Sequence, residues 1–215
     1  RRDPRWRLLY CGVDLSPFRE PVDKAALRAA LGLPADTFVI GHVGRFHPQK
    51  NHAFLVNVAT GVLAREPRAR LVLVGEGALR PEIERRILAA GFKERVIFTG
   101  VRGDVPHLMK GAMDVLLLPS LYEGLPLALI ESQAAGLPCV LSDTVSDEAD
   151  VAPELIRRLS LDAPVERWVD AVLEAGNAPD GARRTAVAAL EASPFNILES
   201  VAQLERIYEP GNRGD

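Results

Sequence analysis

Six short apolar runs recur along the chain with helical segments between them: FVIGHV (38–43), RLVLVG (70–75), RVIFTG (95–100), DVLLLPS (114–120), PCVLSD (138–143) and LIRRLSL (155–161). Most are apolar at consecutive rather than alternate positions, the pattern of parallel strands covered on both faces. The intervening segments carry helix punctuation. PVDKAALRAALG has an acid in its first turn and a glycine stop, and LRPEIERRILAAG interleaves charges with Ile83, Ile87 and Leu88 before Gly91. Strand, loop and helix repeated in this order predict an α/β fold, a Rossmann-like doubly wound, mainly parallel sheet. Beyond about residue 162 only helical patterns remain, broken near Gly176–Pro179 and at Ser193-Pro194, so a C-terminal helical annex is expected.

Other chain-wide features exclude more than they assign. The 215 residues are enough for one large core. A net charge of −3 gives no reason to expect nucleic acid as a partner, and the local cluster RRDPRWR reads equally well as a solvated segment or a linker. Cys11 and Cys139 lie apart without metal-ligand spacing, so neither a zinc site nor a disulfide framework is expected, and a reducing compartment is the natural setting. No apolar run approaches the roughly 18 residues of a membrane span. The chain opens in polar sequence without a methionine and reads as part of a longer protein.

Ligands of doubly wound sheets bind beyond the carboxyl ends of the strands, and three loops fall there. The first, VGRFHPQKN (43–51), offers Gly44 for close backbone approach and the cations Arg45 and Lys50, a planar fork and a flexible point charge suited to phosphate. His47, alone in a polar loop, reads as surface. The second, VGEGALRPE (74–82), has a glycine pair but no third glycine at dinucleotide-binding spacing. Glu76 within it is either solvated at a tight turn or part of the site.

The third loop, SLYEGLPLALIESQAAG (120–136), leads from strand into a helix that starts near Pro126 and stops at Gly136. The amides of Gly124 and Leu125, with the helix dipole behind them, can hold a phosphate without a basic side chain. Glu131 is four residues from both Leu127 and Ala135, which puts it near the packed face. It also lies roughly 9 Å along the axis from the helix start, with its side chain leaning back towards that end. A carboxylate there can accept the hydroxyls of a ribose whose diphosphate sits on the helix end. Glu123, just before the helix, faces the other side of that diphosphate.

These residues carry a resemblance. EGLPLALIE (123–131) resembles the E-x7-E motif of the retaining, nucleotide-sugar-dependent glycosyltransferases of family 4, or group 1. CGVDLSPF is similar to their N-G-V-D segment, with Cys11 in place of asparagine; VGRFHPQKN to their phosphate loop; LVLVGEG to the following strand and turn; and VIFTGVRGDVPHLMKGAMDVLLLPS to their base-binding strand and the approach to the motif. The resemblance runs from about Tyr10 to Asp143. The chain departs from the pattern after PCVLSD, where TVSDEADVAPELIRRLSL lacks the usual paired glycines and Glu148 stands nearest to the expected acid; exopolysaccharide-type transferases are similar in this region.

The resemblance implies the C-terminal half of a GT-B fold, with a linker at 1–9, a nucleotide-sugar-binding domain at 10–194, and a closing helix at 195–215 that crosses back to an N-terminal acceptor domain. It implies that Arg45 and Lys50 bind the donor diphosphate and that Glu123 holds the sugar hydroxyls, these three carrying the chemistry. Gly44, Glu76, Val101, Arg102, Gly124, Leu125 and Glu131 complete the donor site, with Val101 and Arg102 near the base and Glu131 on the ribose. No cofactor and no metal are implied, only a UDP- or GDP-sugar donor. The implied activity is hexosyl transfer to a glycan, lipid or other acceptor, as in exopolysaccharide or cell-envelope synthesis, in the cytoplasm or at the cytoplasmic face of a membrane to which the full-length enzyme associates peripherally. Two other readings stand beside it: a GT-B nucleotide-sugar epimerase and a non-catalytic sugar-nucleotide-binding module.

Overall fold

The computed structural model describes residues 7–176 and 181–208. Most of the expected 1–9 linker, the break at Pro179 and the end of the closing segment from 209 onward lie outside the described residues.

Six strands form one sheet in the order β3-β2-β1-β4-β5-β6, and every neighbouring pair is parallel. They are β1 (Phe38–Val43), β2 (Ala69–Val74), β3 (Val96–Gly100), β4 (Val115–Leu118), β5 (Cys139–Ser142) and β6 (Ile156–Leu159), each inside or within a residue of a predicted run. The helices are α1 (Ser16–Arg19), α2 (Lys24–Ala30), α3 (His52–Arg65), α4 (Arg80–Ala89), α5 (Val105–Gly111), α6 (Leu127–Ala134), α7 (Val165–Gly176), α8 (Gly181–Glu191) and α9 (Ile197–Tyr208).

Two-sided burial explains why the runs are apolar throughout. Val39, Val72, Leu116, Leu118 and Leu141 pack on one face with Leu108 and Met109 of α5, Leu129 and Ile130 of α6, and Leu190 of α8. Their chain neighbours Ile40, Leu71, Leu73, Leu117 and Val140 pack on the other with Leu55 and Val62 of α3, Ile83 and Ile87 of α4, and Trp168 of α7. The annex helices are therefore divided between the faces. Trp168, fully buried, also donates its indole N–H to the Ser160 carbonyl at 3.0 Å, which fixes the turn from β6 into α7.

Several polar side chains tie the elements of this frame together. Arg28 Nη2 donates to both carboxylate oxygens of Asp114 at 2.8 and 2.9 Å, and Asp114 also accepts the Val39 amide, so α2 is tied to the entry of β1. The irregular segment 143–155 is held by Gln133 of α6, whose Nε2 donates to the Ala149 carbonyl at 2.8 Å while Oε1 accepts the amides of Val151 and Ala152 at 2.8 and 2.7 Å. Arg158 on β6 grips its other side through the Val145 and Ser146 carbonyls and Asp150. Cys11 is exposed and Cys139 buried, both as free thiols.

The start of the described chain and α9 lie together. The Val13 amide donates to the Phe195 carbonyl at 2.7 Å, the Ile197 amide donates to the Val13 carbonyl at 3.0 Å, and the Tyr10 and Phe195 rings meet edge to face. Leu198, Val201, Leu204 and Ile207 of α9 are exposed.

Candidate functional site

The direction of winding reverses between β1 and β4, which are neighbours in the sheet although the strands wound after β1 lie on its far side. Such a reversal splays the following loops apart and leaves a crevice at the strands' carboxyl ends. The β1–α3 loop carries Arg45 and Lys50 to this crevice, and the β4–α6 loop carries Glu123.

The first two loops support one another through backbone contact. The Gly44 amide donates to the Val74 carbonyl at 3.0 Å and the Phe46 amide to the Glu76 carbonyl at 2.9 Å. Gly75 has φ 134°, and a Cβ there would collide with the Gly44 carbonyl oxygen, as one on Gly77 would with that of Phe46. The glycine pair is thus required by the packing of loop on loop.

Lys50 and Glu123 meet directly. Lys50 Nζ donates to Glu123 Oε1 at 2.7 Å, with side chains 18% and 8% exposed. Ser120 Oγ donates to the same oxygen at 2.6 Å, and Gln49 Nε2 to Oε2 at 3.1 Å. Gln49 Nε2 also donates to the Tyr122 carbonyl at 2.9 Å, and the Gln49 carbonyl accepts the Leu121 amide at 2.8 Å. Ser120 is braced from β5, since its carbonyl accepts the hydroxyls of Ser142 and Thr144.

A cleft of about 260 Å³ opens beside this cluster, lined by Val43, Gly44, Arg45, Val74, Gly75, Glu76, Val101, Arg102 and Val105. Five residues expected at the site therefore share one cleft. Arg45 is exposed; its carbonyl accepts the His47 amide at 2.8 Å, while its guanidinium makes no hydrogen bond or ion pair with any described residue. Arg102 is occupied by Asp104, at 2.8 and 2.7 Å, and its guanidinium holds the Asp104 carboxyl below the usual range. Glu76 is not simply solvated, one of the two readings its turn allowed. It pairs with Arg80, whose guanidinium lies 5.1 Å above the Phe98 ring.

At the third loop Pro126 is the N-cap of α6, and the Leu127 amide turns back onto the Leu125 carbonyl. The amides of Gly124 and Leu125 donate to no acceptor among the described residues. Glu131 is half-buried between exposed Leu127 and half-buried Ala135, at the edge of the packed face. Burial raises its carboxyl above the ordinary value, and no described side chain pairs with it. A partly desolvated carboxylate without a compensating cation has acceptor positions left for hydroxyl donors. Glu148 takes a different place: it is exposed and accepts the Tyr10 hydroxyl.

Sequence reasoning missed Gln49, Ser120 and two buried histidines. His47 is exposed, as expected. His42 on β1 and His52 on α3 are fully enclosed, with ring centroids 5.0 Å apart. His42 Nδ1 bonds the Leu117 carbonyl at 2.9 Å, while His42 Nε2 and both His52 nitrogens have no hydrogen-bond partner. Burial pushes their pKa values down to about 3 and about 4, so both rings are neutral. A polar residue inside an apolar strand was the available signal for His42. Among the described residues no group of three or more His, Cys, Asp or Glu side chains is placed to hold a metal ion.

Residues 23–190 match the family model of the group 1 glycosyl transferases. The chain belongs to this family. As a group 1 glycosyltransferase it is 38% identical over 213 residues to the putative glycosyltransferase EpsF of Bacillus subtilis, covering 98% of this chain and 55% of that protein. It is also 38% identical over 136 residues to an Escherichia coli UDP-Gal:alpha-D-GlcNAc-diphosphoundecaprenol alpha-1,3-galactosyltransferase, covering 61% of this chain and 35% of that one. The chain thus spans about half, or less, of the length of these relatives. The fold matches that of Anabaena HepE, crystallised with UDP and glucose, at a TM-score of 0.78 and 23% identity over 93% of this chain and 56% of that one. It matches WaaG, a glycosyltransferase of lipopolysaccharide biosynthesis, equally well at 0.78 and 20% identity, over 97% and 58% of the two chains. The sheet and its helices are those of the C-terminal Rossmann-like domain of GT-B glycosyltransferases.

Proposed function

We propose that this chain is the donor-binding half of a retaining glycosyltransferase that takes a hexose from a nucleotide sugar, with UDP as the favoured nucleotide. The observation that carries the reading is the gathering of Arg45, Lys50 and Glu123 with the free Gly124 and Leu125 amides at the reversal between β1 and β4. Cations, amides and a helix end converge where a diphosphate would sit.

Each residue then has a distinct task. Arg45, Lys50 and the two amides bind the diphosphate and offset the charge that develops on it as the bond to the sugar breaks. Glu123 orients the sugar through its hydroxyls, and Glu131 fixes the ribose and with it the register of the nucleotide. Gly44, Glu76, Val101 and Arg102 form the cleft wall on the base side. The acceptor attacks the face from which the diphosphate departs and passes its proton to the departing phosphate oxygen, which retains the anomeric configuration.

UDP is favoured because HepE was crystallised with it and the E. coli relative is named for UDP-Gal. Relatives in Vi polysaccharide and lipopolysaccharide core biosynthesis, together with the diphosphoundecaprenol-linked acceptor of the E. coli enzyme, support a glycan or lipid-linked acceptor in the cell envelope. Such an acceptor is met through an N-terminal domain on which α9 packs, and it brings the full-length enzyme to the cytoplasmic face of a membrane. No helix among the described residues is itself long and apolar enough to cross one.

The test is calorimetric titration of this chain with UDP and GDP in the presence of a chelator. UDP should bind without divalent metal. Binding restored only by magnesium or manganese, or no binding of either nucleotide, overturns the reading.

A further inference from the structure

Lys50 is claimed by two partners. It sits on Glu123 at 2.7 Å, yet its proposed task is to bind diphosphate. A carboxylate has roughly four acceptor positions over its two oxygens. In Glu123 three are taken, by Lys50 and Ser120 at Oε1 and by Gln49 at Oε2. One position is free, and a pair of neighbouring sugar hydroxyls needs two.

We propose that Gln49 is a positioning residue for Glu123: it holds Oε2 from the diphosphate loop, so that when Lys50 moves to phosphate the carboxylate stays in place and opens two acceptor positions to adjacent hydroxyls of the transferred sugar. The inference rests on the donor-binding reading above and deepens it. Gln49 suits the task because its ends do different things. Its backbone carbonyl and one amide hydrogen stitch the β1–α3 loop to the Leu121 amide and Tyr122 carbonyl of the β4–α6 loop, and Nε2 also reaches the carboxylate. It is neutral, so it fixes the position of Glu123 without cancelling the charge that strengthens hydroxyl binding. Ser120 fixes Oε1 in the same neutral manner and is itself braced by Ser142 and Thr144. Sugar recognition is thereby coupled to diphosphate occupancy: without phosphate, Lys50 remains on Glu123 and closes one of the two positions.

The experiment compares each nucleoside diphosphate with its sugar nucleotide. UDP, UDP-glucose, UDP-galactose, UDP-N-acetylglucosamine, GDP and GDP-mannose are titrated into the unchanged chain, Gln49→Ala and Ser120→Ala, with the melting temperature of each protein recorded. In Gln49→Ala the affinity for the nucleoside diphosphate should stay within about twofold, while the advantage of the best sugar nucleotide over it falls at least about fivefold. Ser120→Ala should lower the same ratio. Gln49→Glu places a second carboxylate beside Glu123, so it should hold Lys50 back, weaken UDP itself and abolish the sugar advantage.

Equal losses for nucleotide and sugar nucleotide, accompanied by a lower melting temperature, would make Gln49 a loop brace and overturn the proposal. So would an undiminished sugar advantage in Gln49→Ala, or the absence of any such advantage in the unchanged chain while UDP still binds. Failure of the unchanged chain to bind any of these nucleotides would instead overturn the donor-binding reading, and this inference with it.

Discussion

Lys50 Nζ lies 2.7 Å from Glu123 Oε1, across 73 positions of sequence, and joins the cation of the β1–α3 loop to the carboxylate of the β4–α6 loop. The two side chains are only 18% and 8% exposed, so each depends on the other for compensation when no ligand is bound. Arg45 differs: its guanidinium is exposed and has no described partner, and is ready for an anion without giving anything up. Removing one cation or the other should therefore have different consequences.

Lys50→Ala leaves Glu123 buried with only the neutral donors Ser120 and Gln49, which should destabilise the unliganded chain by on the order of 1–3 kcal/mol. Arg45→Ala should change stability by less than about 0.5 kcal/mol. Both should weaken UDP, and both should weaken uridine far less. Chemical denaturation alongside titration with UDP and uridine separates these effects. Equal losses for UDP and uridine would show that the cations act through the fold and not through phosphate.

His42 and His52 should make the chain acid-sensitive well above the carboxylate range. Their folded pKa values, about 3 and about 4, lie below the ordinary 6.5, so the unfolded chain binds the protons first. The stability they contribute is complete above pH 6.5 and is lost as pH falls towards 4, at up to about 1.4 kcal/mol per pH unit for each ring. His52→Phe keeps the edge contacts to His42 and Phe46 while removing two unpartnered nitrogens. It should be neutral or stabilising at pH 7 and should roughly halve the slope between pH 6 and 4.5. Urea denaturation across that range measures this, and an unchanged slope would mean that His52 does not titrate with folding.

Gln133→Leu should cost about 3 kcal/mol or more, because it strands the amides of Val151 and Ala152 and the Ala149 carbonyl. The loss should be local as well as global. Proteolysis in 144–152 should accelerate more than at sites in α3 or α4, and uniform acceleration would count against a local anchor.

The sheet was legible because burial on both faces leaves a run of consecutive apolar residues, as in Val115–Leu118, and parallel crossovers space such runs a helix apart. The loop positions of Arg45, Lys50 and Glu123 were legible for the same reason, since strand ends fix where loops fall, and the place of Glu131 on α6 followed from helix spacing. The pairings between loops were not. Lys50 with Glu123, Gln49 with Tyr122, and Phe46 with Glu76 arise from how closely two segments approach in space, and spacing along the chain does not encode that distance. Even the short-range pair of Glu76 with Arg80 was missed, because a glycine turn gives no sign of where the carboxylate points. His52 stayed hidden for another reason: it follows Asn51 in a polar loop, and only the left-handed turn at Asn51, φ 52°, carries it into the core.

Glu131 gives the sharpest test of the site. Burial raises its pKa above the ordinary 4.5, and no described cation compensates it. A carboxyl with a raised folded pKa contributes stability that is present below the unfolded value and is lost as pH rises through the folded one. Glu131→Gln keeps the shape and removes that titration. The variant should therefore match the original chain near pH 4 and become equal or more stable by pH 7, with the difference opening just above pH 4.5. Nucleotide affinity should move the other way. If the carboxylate accepts both ribose hydroxyls, replacing it with an amide should weaken UDP about tenfold or more, since charged hydrogen bonds contribute about 1.5–3 kcal/mol each. A 2′,3′-dideoxy nucleotide, which lacks the diol, should bind both proteins alike. Denaturation at pH 4 and 7, with titration of UDP and its dideoxy analogue, reads both effects from one substitution. A less stable variant with unchanged UDP affinity would make Glu131 a structural carboxylate and remove it from the donor site.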